Sequence, residues 1–232
     1  MTPATAPSDH PGPLPQAILW DMDGTLVDTE PFWMNAEREL TDRYGATWTE
    51  EDVLRVVGAG LGTTAGHLRE RGVPLEPDEI IDRMTSSVIQ ALAEGEIPWR
   101  PGALELLREA RAAGVSQALV TMSMAPMAHA IVHRMPFTVF DTVVTGDAVS
   151  RPKPHPDAYL AAAAALGVDA ASSVAIEDSV PGVAAAVAAG AVTIAVPHVT
   201  QVPESADHET WPSLRGRTLG DLGEVMRRRG RR

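Results

Sequence analysis

The sequence predicts a doubly wound α/β fold, a parallel, Rossmann-like sheet covered by helices, with an all-helical domain inserted near its start. Three observations predict it. The apolar run Ala17 to Trp20 lacks polar alternation and closes on an acidic turn with a glycine, as a buried parallel strand does. Between Glu30 and Trp99 there is helical periodicity and no convincing strand. From Pro101 onward, short strand-like runs alternate with helical ones, the pattern of right-handed crossovers in a parallel sheet.

Taken in order, the first strand gives way to a helix from about Pro31 to Tyr44, where Phe32, Ala36, Leu40 and Tyr44 recur every fourth position. Pro31 suits its first turn and Gly45 its exit. Val53, Val56 and Val57 belong to a second helical run, which breaks into Gly58-Ala59-Gly60-Leu61-Gly62-Thr63-Thr64. A third, from about Pro77 to Ala93, puts Ile81, Met84, Val88 and Leu92 on one stripe and ends at Glu94 to Pro98. Leu104, Leu107 and Ala110 then mark a helix closed by Gly114, before a strand from Ser116 to Thr121. Helix 126–134, strand 142–145, helix 157–166, strand 173–176, helix 181–189 and a last strand 192–196 follow. The alanine runs at 161–165 and 184–186 read as helices lying close on a sheet, since alanine is the best helix former. The domains expected are a disordered leader over 1–13, a core made of 14–29 and 99–232, and a helical insertion over 30–98.

The composition narrows the function classes. A hydrophobic content of 44% supports a proper core. A formal net charge of −12 argues against a general nucleic-acid or membrane surface, and an anionic substrate must then be held by local positive groups. With no cysteine there is neither a disulfide framework nor thiolate chemistry, compatible with a cytoplasmic location. Residues Met1 to Pro13 do not read as a signal peptide, and no run approaches a membrane-spanning length. The tail Arg227-Arg228-Arg229-Gly230-Arg231-Arg232 reads as a solvated, frayed terminus rather than a docking site for an acidic partner. Oligomeric state is left open.

Chemistry concentrates at four stations. First, Asp21 and Asp23 end the opening strand in Asp21-Met22-Asp23-Gly24-Thr25-Leu26-Val27-Asp28. Side chains two apart leave a strand by the same face, and two close carboxylates repel unless a cation intervenes. A divalent metal is the expected remedy. Second, Thr121-Met122-Ser123 stands between a strand and a helix N-terminus, where a hydroxyl and free amides suit an anion. Third, Lys153 is the only lysine in a chain that otherwise uses arginine, and prolines on both sides stiffen its loop. Fourth, Glu177-Asp178 ends a strand with hard carboxylate oxygens of the kind Mg2+ prefers.

This ordered set, Asp-x-Asp, strand-end Thr, Lys-Pro-x-Pro-Asp and Glu-Asp-Ser-x-Pro-Gly, resembles the four motifs of the haloacid dehalogenase superfamily over roughly Ala17 to Val196. The helical insertion is similar to the cap of the subgroup that holds β-phosphoglucomutase, phosphoglycolate phosphatase and small sugar-phosphate phosphatases. The resemblance implies a magnesium-dependent phosphatase acting on a small phosphorylated metabolite. It makes Asp21 the nucleophile and Asp23 the general acid and base. Asp21, Asp178 and the Asp23 carbonyl would hold Mg2+, with Glu177 outside them or bound through water. Thr121, Met122, Ser123 and Lys153 would hold the phosphoryl oxygens, and Trp33 and Gly58 in the cap are candidates for substrate selection.

Other chemistries fit less well. A dehalogenase of this superfamily has no leaving oxygen to protonate, yet Asp23 is present, and phosphonate cleavage through a Schiff base needs a cap lysine, yet the insertion has none. A sugar-phosphate mutase is the main alternative. Sequences resembling β-phosphoglucomutase carry a histidine where this chain has Trp33, and the loop 58–64 has no cation for a second phosphate. A non-catalytic binding protein on this fold would be expected to have lost a motif residue, and none is lost.

Overall fold

A computed structural model describes residues 14–56 and 60–229. The apolar run 17–20 forms β1 (Ala17–Trp20), every residue of it buried, and it takes the centre of the sheet. Around it lie β2 (Ser116–Val120), β3 (Thr142–Val144), β4 (Ser173–Glu177), β5 (Val192–Ala195) and β6 (His208–Thr210), in the order β3-β2-β1-β4-β5-β6. All five pairings are parallel, with Trp20 beside Leu119 on one flank and Ile176 on the other. Strand order reverses about β1, so the crevice beyond its carboxyl end is where an open α/β sheet places its ligand.

Four helices fill the interval after β1: α1 (Glu30–Tyr44), α2 (Glu50–Val56), α3 (Leu61–Glu70) and α4 (Pro77–Glu94). The sheet is covered by α5 (Ala103–Ala112), α6 (Ala125–His133), α7 (Asp157–Leu166), α8 (Val180–Ala188) and α9 (Leu219–Arg229). The stripe read from the sequence, Ile81, Met84, Val88 and Leu92, is buried on α4 and shares one core with Trp33, Ala36 and Leu40 of α1. The chain leaves and re-enters the core side by side. Val27 bridges both Asp23 and Trp99, and the Asp28 amide donates to the Pro98 carbonyl at 2.9 Å.

Three expectations are corrected. The run 58–64 reads as a break after the second helix, yet α3 begins within it at Leu61, capped by extended Gly60. Burial of Ala65 and Leu68 against the α4 layer outweighs the low propensity of Gly62 and Gly66. After the last expected strand there is a sixth, β6, a polar edge strand of three residues without apolar alternation. The arginine tail is not frayed through Arg229: α9 buries Leu219, Leu222 and Val225, and Arg228 is bidentate to Glu209 at 2.8 Å. The leader 1–13, Gly58 and residues 230–232 lie outside the described residues.

Candidate active site

Beyond β1, Asp21 faces the ammonium of Lys153, with Nζ donating to Asp21 Oδ1 at 2.7 Å. The same ammonium donates to the Val120 carbonyl at 3.0 Å and to Glu177 Oε1 at 2.5 Å, so all three of its protons are used. Lys153 is buried despite its charge because its three partners converge at the carboxyl ends of β1, β2 and β4. Burial alone would lower its pKa, but the carboxylates of Asp21 and Glu177 outweigh that and hold it above the ordinary lysine value. Glu177 in turn accepts from the Tyr159 hydroxyl at 2.7 Å and the Ser179 hydroxyl at 3.2 Å. A Cβ on Gly182 would stand 2.0 Å from the Glu177 carboxylate, which is why α8 can approach β4 only with glycine there.

Asp23 is held by four donors. Thr29 Oγ1 (2.6 Å) and Trp33 Nε1 (3.1 Å) reach Oδ1, while Thr121 Oγ1 (3.0 Å) and Ser123 Oγ (2.8 Å) reach Oδ2. Thr121 also accepts from the Ser123 amide at 3.0 Å, which folds the strand-end turn toward Asp23. The Met122 sulfur accepts from the Lys153 amide.

Asp21, Glu177 and Asp178 are all buried, and each offers an oxygen within 4.8 Å of the others, an arrangement able to hold a metal ion. Burial, then the charge of Glu177, pushes Asp21 up to about 7, against the pull of Lys153. Asp178 is raised well above the ordinary range by burial and then by Asp21 and Glu177. Asp21 Oδ2 is buried with no hydrogen-bond partner. Buried carboxylate oxygens without a donor are costly, and a divalent cation relieves that cost. Gly24 makes the cluster possible: its φ of 80° favours glycine, and a Cβ would lie 2.1 Å from Asp178 Oδ2.

The cleft above these groups is roofed by α1, α3 and α4. From the roof, Glu30, Trp33, Met34 and Glu37 of α1, Leu61 and Thr64 of α3 and Met84 of α4 line it. Glu37 accepts from Trp48 Nε1 at 3.2 Å, whereas the Glu30 side chain, 9% exposed, has no hydrogen-bond partner among the described residues. Burial pushes both carboxyls up to about 7, with Asp23 the next contributor at Glu30.

The sequence profile described as haloacid dehalogenase-like hydrolase matches residues 18–196. The chain belongs to this family. Similar to this hydrolase is the protein CbbY of Cereibacter sphaeroides, 36% identical over 194 residues that cover 78% of this chain and 84% of that protein. Hexitol phosphatase B of Escherichia coli is 30% identical over 185 residues, covering 78% and 83%. Among solved structures, a CbbY mutant from Rhodobacter sphaeroides in complex with xylulose-(1,5)bisphosphate superposes with a TM-score of 0.82 at 30% identity, covering 90% of this chain and 99% of that one.

In this hydrolase the residues singled out from sequence fall as follows. Asp21, Lys153, Glu177 and Asp178 lie together around one buried ammonium, and Thr121 and Ser123 gather on Asp23 beside them. Trp33 is both a core residue, 8% exposed, and a donor to Asp23. Four contributors were not singled out. Tyr159 was signalled by being the one aromatic residue of an alanine-rich helix, and Ser179 by its place in Glu-Asp-Ser. Thr29 and Glu30 immediately follow the first motif, but a threonine before a helix reads as an ordinary boundary.

Proposed function

We propose that this enzyme, a phosphoric monoester hydrolase, acts on a small phosphorylated carbohydrate with Mg2+, through an aspartyl-phosphate on Asp21. The observation that carries the reading is the buried pairing of Asp21 with Lys153, with the second Asp21 oxygen unpartnered. A carboxylate nucleophile must meet an anionic phosphate, and their repulsion is the main obstacle to reaction. Lys153 offsets that charge from a fixed position, supported by Glu177 and the Val120 carbonyl.

One oxygen of Asp21 attacks phosphorus in line, forming an acyl phosphate as the bond to the leaving oxygen breaks. Asp23, once it carries a proton, gives it to that leaving oxygen. It then takes a proton from water as the water oxygen attacks phosphorus, which frees Asp21 and inorganic phosphate. The Met122 amide binds a phosphoryl oxygen, and Thr121 and Ser123 join it when their hydroxyl protons turn from Asp23 Oδ2 to the substrate. Mg2+ fits the donor set of Asp21, Asp178 and the Asp23 carbonyl, and when bound it would neutralise phosphoryl charge. Glu177 is taken up by Lys153, Tyr159 and Ser179, which supports a role outside the ion's direct ligands. Residues 30–98 act as the cap over a core of 14–29 and 99–232.

The similarity to hexitol phosphatase B, and to a CbbY crystallised with a sugar bisphosphate, supports the carbohydrate class. No helix among the described residues is long and apolar enough to cross a membrane. The test is phosphate release from a panel of sugar and polyol phosphates with Mg2+. Quantitative isomerisation of a hexose 1-phosphate without phosphate release would replace this reading with the mutase one. Inert behaviour toward every ester would leave a binding protein.

A further inference from the structure

Resting on the phosphatase reading, the charge layout of the cleft also selects among phosphate esters. Lys153 is the sole cation among the described residues that line it, and it sits at the core end, bonded to Asp21 and Glu177. The roof adds two more carboxylates instead. Glu30 is nine-tenths buried, lines the cleft and has no side-chain hydrogen-bond partner; Glu37 has one oxygen on Trp48 and its other oxygen without a described partner. Trp33, Met34, Leu61 and Met84 around them are apolar or already committed, as Trp33 Nε1 is to Asp23. Thr64 is the single neutral hydroxyl on that side.

The oxygens of Glu30 and the free oxygen of Glu37 are not sealed from solvent, so they face the cleft as acceptors with no protein donor. What fills the cleft can supply the donors that water otherwise supplies. Sugar and polyol hydroxyls are donors; a second phosphate or a carboxylate is not, and it would meet like charge in a poorly solvated space. We propose that Glu30 and Glu37 are specificity-determining residues, which accept hydrogen bonds from an uncharged, polyhydroxylated leaving group and exclude a phosphate ester that carries a second anion.

The experiment measures binding apart from turnover. Sorbitol 6-phosphate and xylulose 1,5-bisphosphate are titrated calorimetrically against the Asp21→Asn enzyme with Mg2+ at about pH 8, above the value of about 7 to which burial pushes both glutamates. The monophosphate is expected to bind about 100-fold more tightly than the bisphosphate. Glu30→Gln and Glu37→Gln, each placed in that background, are expected to narrow the gap at least about tenfold, a neutral amide no longer repelling the second phosphate. Equal or tighter binding of the bisphosphate, or a gap that neither variant moves, overturns the proposal. Phosphate release by the wild-type enzyme is measured separately: its absence from both esters and from the whole panel refutes the phosphatase reading, whereas release from both at similar kcat/KM refutes only the selectivity.

Discussion

Replacing Lys153 by Met keeps most of the side chain's length and removes only the ammonium, so the loss can be worked out from its partners. Asp21 then has no partner at either oxygen, because Oδ2 is already unpaired and Oδ1 is bonded to Lys153. Glu177 keeps Tyr159 and Ser179 but loses its counter-charge. Three buried carboxyls would remain within 4.8 Å of one another with no cation among them. Breaking a buried ion pair by deleting one partner costs about 3–5 kcal/mol. For a chain of this size 1 kcal/mol moves the melting midpoint by about 2–4 °C, so a fall of about 10 °C is expected. The assay is thermal unfolding followed by circular dichroism near neutral pH with a chelator, repeated with millimolar Mg2+, which should recover part of the loss. Phosphate release should fall about 100- to 1,000-fold, the scale for losing one charge-stabilising donor. A Lys153→Met protein as stable as wild type in chelator would refute the view that this ammonium holds the acids together.

Other outcomes can be checked alongside. Asp21→Asn should abolish phosphate release without lowering the melting midpoint in chelator, since the amide oxygen can still accept from Lys153 while one buried charge is removed; near wild-type release would sink the nucleophile assignment. Lys153→Arg should also be a poor enzyme, because a planar fork cannot occupy the three-way site of a compact ammonium; unchanged kinetics would count against it. Gly24→Ala should cost about 1–3 kcal/mol through its φ of 80° and crowd Asp178, weakening Mg2+ binding measured by calorimetry. Glu37 titrates at about 7 rather than 4.5 because it is buried, so the folded protein keeps its proton longer than the unfolded chain and loses stability as pH rises through that window. Glu37→Gln should therefore match wild type near pH 4.5 and be more stable near pH 8, by at most about 3 kcal/mol at about 1.4 kcal/mol per pKa unit. Denaturant melts at the two pH values decide it, and an equal difference at both would refute the assignment.

The site was more legible in the sequence than the fold's periphery, for a physical reason. Asp21, Asp23, Lys153 and Asp178 end strands or stiff loops, where local patterning fixes which way a side chain leaves. A solitary lysine among arginines is a chemical signal that survives without coordinates. The start of α3 was hidden because Gly62 and Gly66 lower helix propensity, while the burial of Ala65 and Leu68 that outweighs them is a tertiary effect. β6 was hidden because His208-Glu209-Thr210 shows no strand pattern and is recruited by pairing with β5. Partnerships across the chain, such as Tyr159 with Glu177 or Trp33 with Asp23, depend on distances that spacing alone does not encode.

The adjacent chain segments at Asp28 and Pro98 carry a consequence for engineering. Because the two ends of the helical roof are already hydrogen-bonded neighbours, exchanging everything between them for another roof demands almost no new loop closure. On the proposed reading, the nucleophile and its ammonium stay with the sheet when the roof is exchanged, and a grafted roof must replace the donor that Trp33 gives to Asp23.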